Sequence, residues 1–239
     1  MHCIEGGHAL AGDPGHLKEL EESGIAYVVL AHLRYMGLAG CAKGLPCKSD
    51  FWQNLINQDQ DPTVGLSETG FHVLEAILNS GVILDVTHCS DLSRKDIMAF
   101  YASSGSHRPL ISSHSGVQYL ANYELNVSDE WIKFMAETGG VIGVILYPFW
   151  LANSPKGRKG VDLVGDTIDH LRSVGGDECV GIGTDLDGFI QPINECGNYS
   201  EIPSFVEILR KRYEGQSEFL ERLLLKNALR VLRAALPQQ

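Results

Sequence analysis

Residues 82–114 read VILDVTHCSDLSRKDIMAFYASSGSHRPLISSH, and this stretch decides the predicted fold. Two apolar runs, 82–88 and 109–114, each end on a histidine, and the residues between them leave room for one helix. Near-continuous apolar strands around a helical segment are typical of a parallel strand–helix–strand unit. Both strands then point the same way. His88 and His114 are therefore predicted to emerge at the carboxyl-terminal edge of the sheet, where parallel α/β folds bind their ligands.

The same alternation of strand and helix continues on both sides of this unit, and it predicts one α/β domain over residues 1–239 with a parallel sheet. A segment from 38 to 65, rich in Gly, Asp, Asn and Gln, interrupts the pattern. Its length is typical of a functional lid or a variable excursion. The predicted strands are 2–4, 25–30, 82–88, 109–114, 141–147 and 179–183, and the predicted helices outside the central unit are 14–23, 67–80, 128–138, 161–174, 202–213 and 217–236.

The composition argues against several classes of protein. A formal net charge of −11 and a pI near 5.2 argue against a nucleic-acid partner. A membrane span would need about 20 predominantly apolar residues in a row, and the richest run, 141–151, is too short. The first residues have neither a basic region nor a long apolar core, so no signal peptide is predicted. We expect a soluble chain, located in the cytoplasm.

The six cysteines follow no CxxC pattern, which argues against a zinc finger or a thioredoxin-like motif. Cys3, Cys89 and Cys179 lie in or beside predicted strands, where a free thiol behaves as a small buried hydrophobic group. Cys41 and Cys47 share a loop and could form a disulfide in an oxidising compartment. The sequence leaves that pairing open.

Side chains with metal-binding or catalytic chemistry lie at or just after the ends of five of the six predicted strands: Glu5, His32, His88, His114 and Asp185. We expect them to converge on one rim, because the carboxyl ends of parallel strands meet at the same edge of a sheet. Carboxylate oxygen with imidazole nitrogen is a ligand set for zinc or a related divalent ion. Such an ion lowers the pKa of bound water to about 7 and polarises a carbonyl group.

Two of these residues have a second interpretation. His32, if it is not a ligand, could stabilise the oxyanion that forms on attack. Asp185 could accept the proton of the attacking water and return it to the leaving group. Residues 181–183 lack the third glycine and the helix start of a phosphate-binding loop, and no GxSxG serine motif occurs. The pattern therefore favours metal-assisted hydrolysis.

Seven short runs of the chain carry a resemblance: IEGGH at 4–8, YVVLAH at 27–32, GLSETG at 65–70, DVTHCS at 85–90, SSHS at 112–115, NVSDE at 126–130 and GIGTDLDG at 181–188. In this order they resemble the successive signatures of the membrane (renal) dipeptidase family, zinc peptidases of the amidohydrolase superfamily. The resemblance covers nearly the whole chain.

The resemblance implies a TIM-type (β/α)8 barrel that hydrolyses dipeptides with two zinc ions. Glu5 corresponds to the carboxylate that bridges the two ions, and His88 and His114 to the histidines that complete the second zinc site. His32 corresponds to the histidine near the substrate carbonyl. Asp185 corresponds to the strand-end aspartate that handles the substrate amino group and proton transfer.

The chain departs from the family pattern at its start. The family's first strand supplies a His-x-Asp pair to the first zinc ion, and no such pair precedes Glu5. Six predicted strands instead of eight agree with this, so we expect a barrel that lacks roughly its first two β/α units and holds one zinc ion or none. Unpaired strand edges invite pairing with another chain, and a second copy of this chain could cover the open edge.

A second departure concerns the substrate. Leu125 stands where vertebrate members of the family place an arginine for the substrate carboxylate. Three hypotheses follow: a zinc-dependent dipeptidase, a hydrolase of another small amide or lactone on the same scaffold, and a catalytically silent fragment or pseudoenzyme without the first zinc site.

Overall fold

The computed structural model of the protein describes residues 2–43, 63–188 and 190–235. Over these ranges strands and helices alternate as predicted. The strands are β1 His2–Glu5, β2 Ile25–Val29, β3 Ile83–Asp85, β4 Ile111–Ser115, β5 Val141–Val144 and β6 Val180–Ile182. The helices are α1 His16–Glu22, α2 Glu68–Leu78, α3 Asp91–Ser104, α4 Asp129–Glu137, α5 Pro148–Leu151, α6 Gly160–Gly175, α7 Ile202–Arg212, α8 Ser217–Glu221 and α9 Asn227–Ala235, and a π-helical turn, Arg222–Lys226, joins α8 to α9.

All six described strands are parallel and lie in one sheet in chain order, β1 to β6. Each strand pairs with the next one along the chain, as consecutive β/α units require. No pairing joins β1 to β6 within the described residues. The predicted α/β fold with six parallel strands is confirmed, and the barrel is not closed over this part of the chain.

The sheet is covered on both faces, which explains why its strands are almost uniformly apolar. Leu84 and Ile142 belong to the main core that the sheet forms with the surrounding helices. Their neighbours Ile83 and Val141 point to the opposite face and pack against Val231 of α9. The C-terminal helix therefore closes one part of the inner face, while the site described below lies at the carboxyl ends of the strands.

Serine side chains set the start of three helices. Ser67, Ser90 and Ser128 precede α2, α3 and α4, and each accepts a hydrogen bond from the backbone N–H three residues later. This is N-capping, which satisfies one of the free donors at a helix start. The caps fix the residue at which each loop above the carboxyl edge of the sheet ends and its helix begins.

Several predicted boundaries were wrong. Strand pairing ends at Asp85 and Val144, whereas the apolar pattern predicted strands to 88 and 147. Val86 and Leu146 are fully buried although they lie beyond the strands, so the apolar run reflects burial of the loop and not strand pairing. Cys3 is exposed, contrary to the prediction, because β1 pairs on one side only within the described residues.

The remaining cysteines agree with the prediction where they are described. Cys89 and Cys179 are free and buried. Cys41 is also a free, buried thiol, and its Sγ donates to the carbonyl of Arg34. Its suggested partner, Cys47, lies outside the described residues, as does most of the predicted lid at 38–65. None of the described helices combines the length and the apolar character that a bilayer crossing requires.

Arg94 is a buried cation that holds a loop beside the site. Its guanidinium donates to the carbonyls of Glu124, Leu125 and Asn126 and to Asp91 Oδ1. The residue is 3% exposed, and burial lowers the pKa of its guanidinium. Three backbone acceptors of one loop thus depend on one side chain.

We expect Arg94→Met to destabilise the protein by about 3 kcal/mol or more, because it leaves buried carbonyl groups without donors. Urea unfolding monitored by circular dichroism measures the change. Lys95→Met is the matched control, because it removes an exposed cation at the next position of α3. Equal stability of the two variants would show that the Arg94 hydrogen bonds do not support the loop.

Candidate metal centre

Three predicted ligand residues bring their coordinating atoms together at the carboxyl-terminal edge of the sheet. Glu5 Oε1 lies 3.2 Å from His88 Nε2 and 3.6 Å from His114 Nε2. The two imidazole nitrogens are 3.2 Å apart. One oxygen and two nitrogens therefore form a small triangle above the ends of β1, β3 and β4.

The size of this triangle fits a zinc ion. Zinc binds imidazole nitrogen and carboxylate oxygen at about 2.0–2.1 Å with tetrahedral geometry, so any two ligand atoms lie about 3.3–3.4 Å apart. The three measured separations, 3.2, 3.2 and 3.6 Å, bracket that value. Three protein ligands leave the fourth position open, as in catalytic zinc sites.

The protonation states also suit a cation. The hydrogen bond with His88 is the main cause that lowers the pKa of Glu5 to about 2. Burial is the main cause that lowers the pKa of His114 to about 3. At neutral pH the site thus presents an anionic carboxylate and a neutral imidazole, the forms that bind metal.

The backbone aims these side chains inward through an uncommon conformation. His88 and Asp185 have φ values of 65° and 53°, and Leu33, which follows His32, has 56°. Left-handed backbone is unfavourable for residues other than glycine and clusters at functional sites. Directly after Glu5 the chain turns at Gly6, where φ is 116° and a side-chain Cβ would overlap the His8 ring.

His32 lies at the edge of the triangle. Its Nε2 is 3.7 Å from Glu5 Oε1, and its ring meets the His88 ring edge-on with 4.9 Å between centroids. The ligand atoms of Glu5, His32 and His88 all lie within 4.8 Å of one another. Burial is the main cause that lowers the pKa of His32 to about 4. His32 therefore offers a neutral imidazole, either as a further ligand or as a group facing the substrate.

Asp185 faces the same space from the end of β6. It lines a cavity of about 390 Å³ together with Glu5, His114 and the exposed ring of Tyr199. Burial, and next the charge of Glu5, raise the pKa of Asp185 to about 6. All five predicted site residues thus lie at one mouth of the curved sheet.

Two residues that contact the histidine ligands, Trp150 and Ser113, were not predicted to do so. Trp150 is 2% exposed, and its ring stacks on His114 and meets His88 edge-on, at centroid distances of 6.0 and 5.8 Å. Ser113 Oγ lies 3.0 Å from His114 Nδ1. When His114 donates its Nδ1 proton to that oxygen, Nε2 is free to bind a metal. No pattern in the sequence marked Trp150 as packing against metal ligands.

The sequence profile of the membrane dipeptidases, Peptidase family M19, matches residues 1–238. The chain belongs to this family. Among curated relatives, dipeptidase 3 of Rattus norvegicus is 30% identical over 233 residues, which cover 96% of this chain and 43% of the rat protein. Dipeptidase ataJ of Aspergillus terreus is 28% identical over 236 residues, which cover 96% of this chain and 56% of the fungal protein. This family member spans about half the length of the curated relatives it matches.

Solved structures confirm the fold of this family member. The probable dipeptidase PvdM from Pseudomonas aeruginosa superposes with a TM-score of 0.81 at 20% identity, over 97% of this chain and 68% of that one. A metallo peptidase from Rhodobacter sphaeroides gives the same TM-score, 0.81, at 18% identity, over 98% of this chain and 62% of that one. The resemblance in the sequence is thereby confirmed at the level of family and fold.

Proposed function

We propose that this chain carries a zinc site of a dipeptidase, with Glu5, His88 and His114 as ligands. The observation that carries the proposal is the triangle of one carboxylate oxygen and two imidazole nitrogens with edges of 3.2–3.6 Å. A bound zinc ion supplies a water of lowered pKa and polarises the scissile carbonyl.

The remaining residues of the site act on the substrate in this proposal. His32, neutral at pH 7, donates a hydrogen bond to the oxygen that gains charge at the carbonyl. Asp185 accepts the proton of the attacking water and passes it to the leaving amine, and its raised pKa suits both transfers. The cavity of about 390 Å³ that Asp185 lines together with Glu5 and His114 is large enough for a small ligand.

A dipeptide as substrate is supported by the relatives. The matched curated proteins are named dipeptidases, and the Rhodobacter sphaeroides structure contains a phosphinate mimic of the dipeptide L-Ala-D-Ala. In this chain Glu5 and Asp185 are the acidic groups at the cavity, and they suit a substrate with a free amino group.

The experiment is metal analysis of the purified chain combined with hydrolysis of Ala-Ala and Gly-Leu. We expect bound zinc and turnover that a chelator abolishes and added zinc restores. Bound zinc without turnover would favour the catalytically silent alternative, and a chain that binds no zinc would contradict the proposal.

A second candidate, hydrolysis of another small amide or lactone, is favoured by the loop at Leu125. This side chain is 3% exposed, and the nearby guanidinium of Arg94 is occupied by backbone carbonyls of the same loop. Neither group offers a free cation to a substrate carboxylate. Comparing Gly-Leu with Gly-Leu amide separates the candidates: a dipeptidase prefers the free acid, whereas equal turnover favours the second one.

A further inference from the structure

Backbone pairing between β3 and β4 does not extend to the two histidine ligands. His88 follows the end of β3, and His114 lies inside β4, where the register with β5 is irregular between Ser112 and Ser115. β3 and β4 share one register pair, Asp85 with Ile111, and the hydrogen bond from Val86 N to Ile111 O is 2.9 Å long. After this pair β3 ends, and His88 follows in a left-handed conformation. The single pair between β3 and β4 therefore does not by itself set the 3.2 Å between the Nε2 atoms of His88 and His114.

One carboxylate connects the two strand ends. Asp85 Oδ1 accepts the backbone N–H of Thr87 at 2.9 Å and that of Ser113 at 3.2 Å. Thr87 directly precedes His88, and Ser113 directly precedes His114. A single oxygen atom thus fixes the residue before each histidine.

The hydroxyl of Thr87 continues this connection. Its Oγ1 lies 3.3 Å from the hydroxyl oxygens of Ser112 and Ser113, and His114 N donates to it at 3.5 Å. Asp85, Thr87 and Ser112 are each no more than 1% exposed. Buried hydrogen bonds of this kind favour a single geometry, because water is not available as an alternative partner for their donors.

We propose that Asp85 is a positioning residue that sets the separation of His88 and His114 by accepting the two backbone N–H groups. The inference rests on the proposed zinc site. In it, Asp85 positions the metal ligands and does not contact the metal itself. The other carboxylate oxygen of Asp85, Oδ2, has no hydrogen-bond partner among the described residues. The role therefore requires the acceptor Oδ1 and not the second oxygen, and asparagine can fill it.

The test compares Asp85→Ala with Asp85→Asn. Loss of a residue that orients metal ligands weakens metal binding by about 10- to 100-fold, and we expect this for Asp85→Ala, measured by zinc competition with a chromophoric chelator. Asp85→Asn keeps the acceptor and is expected to bind zinc with the affinity of wild type. The d–d absorption bands of the cobalt-substituted protein should shift in the alanine variant and remain in the asparagine variant.

Asn227→Ala is the matched control for a merely structural role. Asn227 is 1% exposed and its side chain makes two hydrogen bonds, to the carbonyls of Asp177 and Val180 at the opposite end of the sheet. This variant should lower the melting temperature as Asp85→Ala does, with zinc affinity and cobalt spectrum unchanged. Should Asp85→Ala fail to fold, Thr87→Val, which removes only the bridging hydroxyl, must shift the cobalt bands.

A readout without metal separates this inference from the proposed function. The imidazole ¹⁵N resonances of His88 and His114 in the metal-free chain should move in Asp85→Ala and not in Asn227→Ala. If they move while wild type binds no zinc, the zinc site is wrong and the positioning role stands. Unchanged resonances and unchanged affinity in Asp85→Ala, or an asparagine variant as weak as the alanine variant, would overturn the inference.

Discussion

His88→Ala and His114→Ala are each expected to abolish zinc binding by the purified chain. Each change leaves two protein ligands where three lie within 3.2–3.6 Å of one another. Zinc binding to a four-ligand protein site provides about 10–16 kcal/mol, roughly 3 kcal/mol per ligand, so affinity should fall at least about 100-fold. Zinc content after dialysis, measured by inductively coupled plasma mass spectrometry, gives the result.

His72→Ala is the control for this pair, because His72 is an exposed histidine of α2 outside the site. It should retain the zinc content of wild type. Thermal unfolding of the metal-free variants checks that the fold persists. Wild-type zinc content in both His88→Ala and His114→Ala would show that the metal binds elsewhere.

Asp185→Asn is expected to lower kcat by about 10²- to 10⁴-fold while zinc content is retained, because positioned proton transfer contributes about that much to a rate. Asparagine tolerates the left-handed backbone at this position, where φ is 53°, so the fold should not suffer. Initial rates of Gly-Leu hydrolysis by the zinc-loaded variant measure the effect.

Asp187→Asn is the matched control, since Asp187 is an exposed carboxylate on the same loop with a similar φ of 62°. Its rate should equal that of wild type. A zinc-loaded Asp185→Asn variant as active as Asp187→Asn would exclude Asp185 from proton transfer.

Much of the fold was predictable because burial leaves a periodic mark on the sequence. Parallel strands covered on both faces are apolar along their length. The six predicted strands are all present, and they lie in the sheet in chain order. The same rule explains why β5 was predicted to continue beyond Val144 and why Cys3 was predicted to be buried. Apolar character records burial, so it continues into buried loops and says nothing about which strand lies at an edge.

The site was predictable to the extent that strand ends converge. Glu5 ends β1, His114 lies near the end of β4 and His88 follows β3. The parallel topology alone brings such strand ends to one rim. Asp85 and Arg94 were not predicted, because their roles depend on hydrogen bonds to backbone groups some 30 positions away. A side chain that binds backbone atoms imposes no residue type on its partner and leaves no motif.

The unpaired edges of the sheet lead to a prediction about association with a second chain. Within the described residues β1 and β6 each pair on one side only, and unpaired strand edges attract other strands. We propose that a second copy of the chain covers this opening. Light scattering after size-exclusion chromatography should give twice the monomer mass of 26.2 kDa, and a monomer at micromolar concentration would contradict the proposal.

The most direct test of the zinc site is the X-ray absorption spectrum of the zinc-loaded chain at the zinc K-edge. The account predicts nitrogen and oxygen neighbours at about 2.0–2.1 Å with the multiple-scattering pattern of at least two imidazole rings. Five described cysteines have free thiols, so a site that includes any of them would show sulfur neighbours. Sulfur neighbours at about 2.3 Å, or fewer than two imidazoles, would contradict it.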